Sequence, residues 1–233
     1  MTHGLHEVAA VDDSPSITRD VSFGYVCGRC SRCCQHKHIQ LDPYEIARLA
    51  RARGESTTTF RASWTVDGRG TTLRQKPDGT CVFLGAEGCE VHPDRPLVCR
   101  LYPLGRHLRS DGHEYFSISG GHPQTAGKYT GTGTIVDYLE RQETRPFIEA
   151  GDAYFRWFQF AYERLAASDD VLISEAVAGA DDQGILDMDA MIASHSAATG
   201  ERAPQSLEAR LQLHLSLLHQ LVAGMEVDDA QET

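Results

Sequence analysis

Eight consecutive residues, Cys27-Gly-Arg-Cys-Ser-Arg-Cys-Cys34, hold four of the seven cysteines of this chain, and the fold must be organised around them. Two-residue gaps separate Cys27 from Cys30 and Cys30 from Cys33. That spacing lets successive thiolates turn toward one point while the intervening backbone amides face the sulfurs, which makes a metal nest. Cys34 follows Cys33 directly, and neighbouring side chains diverge. It is expected to serve a second centre or to stand beside the first as a spare thiol. The bacterial ferredoxin run, in which three close cysteines hold one cluster and the next holds another, is the nearest physical analogue.

Three thiolates do not complete a zinc site or a cubane, both of which take four protein ligands. Cys81, Cys89 and Cys99 follow within Gly79–Pro103 as an ordered set. The Cys-x-x-Cys-x-x-Cys-Cys run, then Gly-x-Cys-x-Phe-Leu, then Arg-Pro-x-x-Cys-Arg-x-Tyr-Pro, resembles the YkgJ-like CxxCxxCC cysteine-cluster family of zinc- or iron-chelating proteins. The resemblance spans residues 20 to 140 or so. It implies metal binding, with an iron–sulfur cluster often proposed, and a relationship to the flagellin lysine methylase that carries the same cysteines. No residues here match a substrate site, so the methylase activity is not carried over.

Seven cysteines are one ligand short of two four-coordinate centres. In the family that this chain resembles, an eighth cysteine often precedes a proline in a glycine-rich loop after the Cys-Arg-x-Tyr-Pro box; here that place reads Gly121-His-Pro123. Histidine is the substitution that keeps a ligand, since neutral imidazole binds zinc and iron. The other reading of His122 is an exposed loop histidine. His36, His38 and His92, close to cysteines in sequence, are rival ligands.

The compartment bears on how the cysteines are read. Their number is odd, two are adjacent, and no export signal precedes them, so a disulfide framework is not expected. A formal net charge of −11 argues against a nucleic-acid partner. No apolar run approaches the ~18 residues that cross a bilayer. A cytoplasmic protein with no membrane partner is the expectation.

The predicted architecture is α+β: a tail over 1–20, a small irregular cysteine-rich metal-binding domain over 21–133 with short helices and hairpins, and a helical extension over 134–233. Asp42-Pro-Tyr-Glu45 reads as a capped helix start with Leu41 and Ile46 as its staple, running to Arg53 with Gly54 as the stop. A second helix follows Ser56, with Phe60 and Trp64 inward. Pro77-Asp-Gly79 predicts a hairpin between Thr71–Lys76 and Thr80–Leu84 that presents Cys81, and Ser110-Asp-Gly112 predicts another. Gly85 and Gly88 bring Cys89 round, and Pro93 and Pro96 stiffen the approach to Cys99.

Arg95 and Arg100 flank Cys99 and read either as surface charge or as cations offsetting a thiolate centre. The glycine-rich loop over 120–133 fits neither a P-loop nor a dinucleotide fingerprint. Helix is predicted from Thr134. An aromatic stripe of Tyr154, Phe155, Phe158, Tyr162 and Leu165 is expected to be core, residues 168 to 205 are expected to be loop-rich, and a last helix is expected from Leu207 to Met225.

All-thiolate ligation and the ferredoxin-like spacing point to an iron–sulfur cluster serving electron transfer or cluster-assisted chemistry, with an unknown protein or redox partner. The alternative cofactor is zinc, stapling a non-enzymatic interaction module. A third reading, metal storage or delivery, calls for exposed, labile thiols, and the proline-stiffened second set argues against it. No Ser-His-Asp, paired-carboxylate or His-Glu-x-x-His pattern stands out, so the sequence assigns no reaction.

Overall fold

The computed structural model describes residues 17–68, 70–165 and 184–229. Helices and short antiparallel strand pairs make it a mixed α+β structure, as expected. Strand β1 (Tyr25–Val26) leads into the cysteine run and is followed by helices α1 (Pro43–Arg53) and α2 (Thr57–Trp64). Next come β2 (Leu84–Gly85), β3 (Gly88–Cys89), α3 (Leu97–Leu101), β4 (Leu104–Leu108), β5 (Glu114–Ile118) and β6 (Lys128–Tyr129). Among the described residues four more helices follow: α4 (Ile135–Arg141), α5 (Arg145–Leu165), α6 (Met188–Thr199) and α7 (Leu207–Asp229).

Local chemistry accounts for the first two helices. Asp42 Oδ1 accepts the Glu45 N–H at 2.8 Å while Glu45 Oε2 accepts the Asp42 N–H at 3.1 Å, a reciprocal cap that satisfies two orphan donors. Gly54 closes α1 in the left-handed region at φ 69°, where a side chain would be strained. Ser56 caps α2 through the Thr59 N–H. Phe60 is fully buried against Phe83, while Trp64 is only partly covered.

Among the described residues, three apolar clusters hold the fold together. One packs Ile39, Ile46, Leu49, Phe60, Leu73, Phe83 and Val91, with Cys81 and Cys89 at its margin. A second joins Phe23 and Tyr25 to Leu101, Leu104, Phe116, Ile135 and Tyr138. The third joins Tyr44 and Ala47 to Phe147, Tyr154, Trp157, Leu211 and Leu218. The last two clusters draw residues from both sides of position 133, so the helices after Thr134 share cores with the cysteine-bearing part. Burying each large side chain contributes ~1.5–3 kcal/mol.

Several expectations change at this level. Residues 1–16 of the predicted tail lie outside the described residues, but 17–20 are tied down. Ile17 bridges to Phe116, and Arg19 pairs with Glu114. Part of the loop-rich stretch is helix: Asp187 caps α6 through the Ala190 N–H, and Gly200 ends it at φ 76°. Residues 168–183 of that stretch lie outside the described residues. The aromatic stripe of α5 is phased differently from the prediction, since Tyr162 is 66% exposed whereas Trp157 and Ala161 are fully buried. Ordinary loop cues and aromatic spacing miss these because packing partners, not propensity, choose the inward face.

The 71–84 hairpin is realised as isolated bridges. Gln75 pairs with Cys81, and Thr72 and Leu73 pair instead with Gln40 and Thr65. The second hairpin forms in register from Leu104↔Ile118 to Leu108↔Glu114, with Gly112 at φ 81° in its turn.

Candidate metal centre

Strand β1 enters the cysteine run clamped to the glycine-rich loop. Tyr25 pairs with Tyr129 and Val26 with Lys128, and the Phe23 N–H donates to Gly133 O at 3.0 Å. Glycine is needed where these segments cross: a Cβ on Gly127 would stand 1.9 Å from Tyr25 Oη. The crossing lays residues 122–127 over Cys30, whose sulfur accepts the Ala126 N–H at 3.3 Å and lies 3.8 Å from Thr125 Oγ1. Within the run, Arg29 and Ser31 sit in the left-handed region at φ 50° and 59°. Two such non-glycine residues cost ~1–3 kcal/mol each, which the surrounding contacts must offset.

The second half of the run is held by a different strip of chain. The Cys81 N–H donates to Cys34 O at 2.8 Å and the His36 N–H donates to Gly79 O at 2.8 Å, with Gln35 bridging to Thr80 between them. This pairing sets Cys34 against Cys81. The β2–β3 pair, with Leu84 opposite Cys89, returns Cys89 to the same region, and α3 delivers Cys99 within a turn of Pro96.

A regular feature links four of the cysteines. In each, the backbone N–H two residues on is aimed at the sulfur: Arg29 to Cys27 at 3.4 Å, Arg32 to Cys30, Phe83 to Cys81 and Val91 to Cys89. Amides so placed stabilise thiolate rather than thiol. The Ala126 N–H, and after it the Arg32 N–H, draw the Cys30 thiol below its usual range.

Charge divides the set further. Cys33 is hydrogen-bonded to Cys34, which brings the Cys33 thiol down to about 7, with Lys37 and Arg95 assisting. The same bond pushes Cys34 up, helped by burial and by Cys33, Cys99 and Cys81. Cys81 and Cys89 are raised chiefly by burial. Cys99 is exposed by area yet hemmed in by neighbouring atoms; that crowding, then the charges of Cys81, Cys33 and Cys89, push it up as well. Five thiols thus feel one another, and their repulsion is what a bound cation would reverse. Among the described residues no three Cys, His, Asp or Glu side chains converge tightly enough to hold a metal ion. The thiols are neighbours, not a closed shell.

Residues 26–118, which contain all seven cysteines, match the model of the CxxCxxCC family, described as a "putative zinc- or iron-chelating domain". This segment is similar to that family over about two fifths of the chain. No curated protein and no solved structure matches the chain.

The histidines and arginines take their places around this segment. His122 lies just beyond the matched segment, half-buried, in the loop that covers Cys30. Its backbone N–H donates to Tyr102 Oη at 2.7 Å, and its Nδ1 accepts the Gln124 N–H at 3.1 Å, which leaves Nε2 as the nitrogen for a metal. His36 packs its ring over Gly79, His38 is exposed, and His92 faces Arg95, its imidazole pushed down by burial and by Arg95 and Arg29.

Arg95 is one of the cations near the thiols, with Lys37 and Lys76. Its charge reaches Cys33 and Cys89 while it donates to His92 O and to Gln142 Oε1, both at 2.7 Å. Arg100 is not a surface charge and does not face the sulfurs. It is 2% exposed, donates to the carbonyls of Arg95, Pro93 and Gln142, and stacks on Phe147 at 4.3 Å. Its flanking position in sequence conceals this, because α3 turns successive side chains to different sides. Among the described residues no helix is long and apolar enough to cross a membrane.

Proposed function

We propose that this chain is a metal-binding protein that holds an iron–sulfur cluster in thiolate ligation. The observation that carries the reading is the set of backbone amides turned toward sulfur: Arg29 and Ala126 donate to Cys27 and Cys30 at 3.4 and 3.3 Å, and the Arg32, Phe83 and Val91 amides face Cys30, Cys81 and Cys89. Amides aimed at sulfur stabilise metal-bound thiolate and tune the potential of a cluster. A neighbourhood of five thiols also exceeds the four that one tetrahedral zinc uses.

Cys33, Cys34, Cys81, Cys89 and Cys99 would hold the main centre. Cys27 and Cys30, with His122 from the covering loop, would form the second group. A bound cluster supplies one-electron chemistry. The chain's own part is to fix the thiolates, to offset their charge with Arg95, and to lay the 122–127 loop over Cys30. Electron transfer would call for a redox partner.

Zinc is the second reading, because the same amide-to-sulfur bonds suit a structural Zn site that only staples the fold. Anaerobic purification, elemental analysis, acid-labile sulfide and a visible spectrum separate the two. Iron with sulfide and a brown colour support the proposal. Colourless protein with stoichiometric zinc refutes it.

A further inference from the structure

Two tyrosines fasten the loop that covers Cys30. Tyr102 Oη accepts the His122 N–H at the start of the loop, and Tyr25 Oη lies 3.1 Å from Thr125 Oγ1 further along it. The two rings meet edge to face with centroids 6.0 Å apart, and Tyr25 belongs to the apolar cluster behind the cysteine run. The crossing is tight, since a Cβ on Gly28 would stand 2.6 Å from the Ala126 carbonyl. Half-buried Thr125 is held beside Cys30 by these contacts.

Counting hydrogen bonds gives the direction of the Thr125 hydroxyl. Its Oγ1 accepts the Gly127 N–H at 3.1 Å. Tyr25 is 6% exposed and has no other hydrogen-bond partner for its hydroxyl among the described residues, so its one hydrogen goes to Thr125. Both lone pairs of Thr125 are then taken, and its own hydrogen needs an acceptor. The Cys30 sulfur, 3.8 Å away, is the acceptor within reach. The reverse sense would strand the Tyr25 hydrogen.

The Cys30 sulfur thus faces three donors, the Ala126 and Arg32 amides and the Thr125 hydroxyl. Donors gathered on one sulfur fit a thiolate, the form that binds a metal. Of the three only Thr125 donates from a side chain, so substitution can remove that bond alone.

We propose that Thr125 is a positioning residue of the metal centre: its hydroxyl, kept turned by Tyr25, donates to the Cys30 sulfur and sets the direction and electron density of that thiolate toward the metal. The proposal rests on the reading of Cys30 as a ligand and adds to it a side chain that the cysteine pattern does not point to. Thr125 stands 95 residues after Cys30 and outside the segment 26–118 that matches the chelating family.

The test uses the full chain loaded with Co2+ by anaerobic exchange, since tetrahedral thiolate sites take this ion and its sulfur-to-metal charge-transfer band reports electron density on sulfur. The share of the band due to Cys30 is the difference from Cys30→Ser, and affinity is read by competition with a chelator. Thr125→Val, nearly the same in shape, should move that band to longer wavelength and weaken Co2+ about tenfold, because the ligand loses an outer hydrogen bond. Thr125→Ser, which keeps the hydroxyl, should restore both. Tyr25→Phe leaves the Thr125 donor in place and should shift the band less than Thr125→Val.

A band unmoved in Thr125→Val, whatever the affinity, overturns the proposal. So does an equal shift in Thr125→Ser, or a larger one in Tyr25→Phe. While Cys30→Ser still loses band intensity, such a failure leaves the metal reading standing. An unchanged band in Cys30→Ser removes Cys30 from the ligands and ends both.

Discussion

Acidifying the protein from about pH 7.5 to about pH 4 is expected to weaken the packing of α5 against α7 through His214. This imidazole is fully buried: its Nδ1 lies 2.8 Å from Tyr154 Oη and its Nε2 lies 2.9 Å from Ile185 O. The neutral ring satisfies both partners, with Nε2–H donating to the carbonyl and Nδ1 accepting from the tyrosine. Burial pushes its pKa down from 6.5 to about 4, against opposing pulls from the Ile185 carbonyl and Asp187, and Arg61 adds to the lowering.

Between those two values the unfolded chain takes up a proton that folded His214 refuses. Its contribution is therefore complete above pH 6.5 and is lost progressively as the pH falls toward 4. At ~1.36 kcal/mol per pH unit, the whole effect is about 3 kcal/mol, a sizeable share of the stability of one domain. Urea unfolding, followed by tryptophan fluorescence at several pH values, reads it. His214→Gln, uncharged throughout, should be less stable than the unaltered chain at neutral pH and should lose about 3 kcal/mol less on acidification. Carboxyls are common to both proteins, and their contribution cancels in the difference. Parallel pH profiles for the two would refute the reasoning.

Chelation should expose residues 20 to 125 to proteolysis while α5 and α7, whose apolar cluster contains no cysteine, stay protected; equal protection with and without chelator would contradict this coupling. Among single Cys→Ser variants, Cys33 should lose metal together with Cys34, Cys81, Cys89 and Cys99, whereas Cys27, Cys30 and His122→Ala should form a second class with partial loss. Metal analysis in which Cys33→Ser behaves like Cys27→Ser would restore the partition that spacing alone suggests. Arg100→Met should destabilise by about 2–4 kcal/mol in urea, since it strips three backbone carbonyls of their donor, without changing the metal that Arg95 helps to hold.

The cysteine spacing by itself pointed to metal binding, because thiolates two residues apart have few other uses and the amides between them must point somewhere. Caps were equally legible: Asp42, Pro43, Glu45 and Gly54 specify α1 through contacts within a few residues. So were turns at Gly79 and Gly112, where the backbone angle demands glycine. Such features are local, and local chemistry is written in the order of the residues.

What the sequence could not order was which thiols meet. Spacing groups Cys33 with Cys27 and Cys30, but the pairing of residues 34–36 with 79–81 draws Cys33 and Cys34 toward the downstream set, and the loop at 122–127 claims Cys30. Arg95 and Arg100 look alike along the chain; the turn of α3 and the surface of Phe147 send one toward sulfur and the other into the core. Tyr162 fits an aromatic stripe and is nonetheless exposed, because the faces of α5 were chosen by α1 and α7. Each of these depends on contacts between residues far apart in the chain, whose energy exists only once the tertiary structure has brought them together.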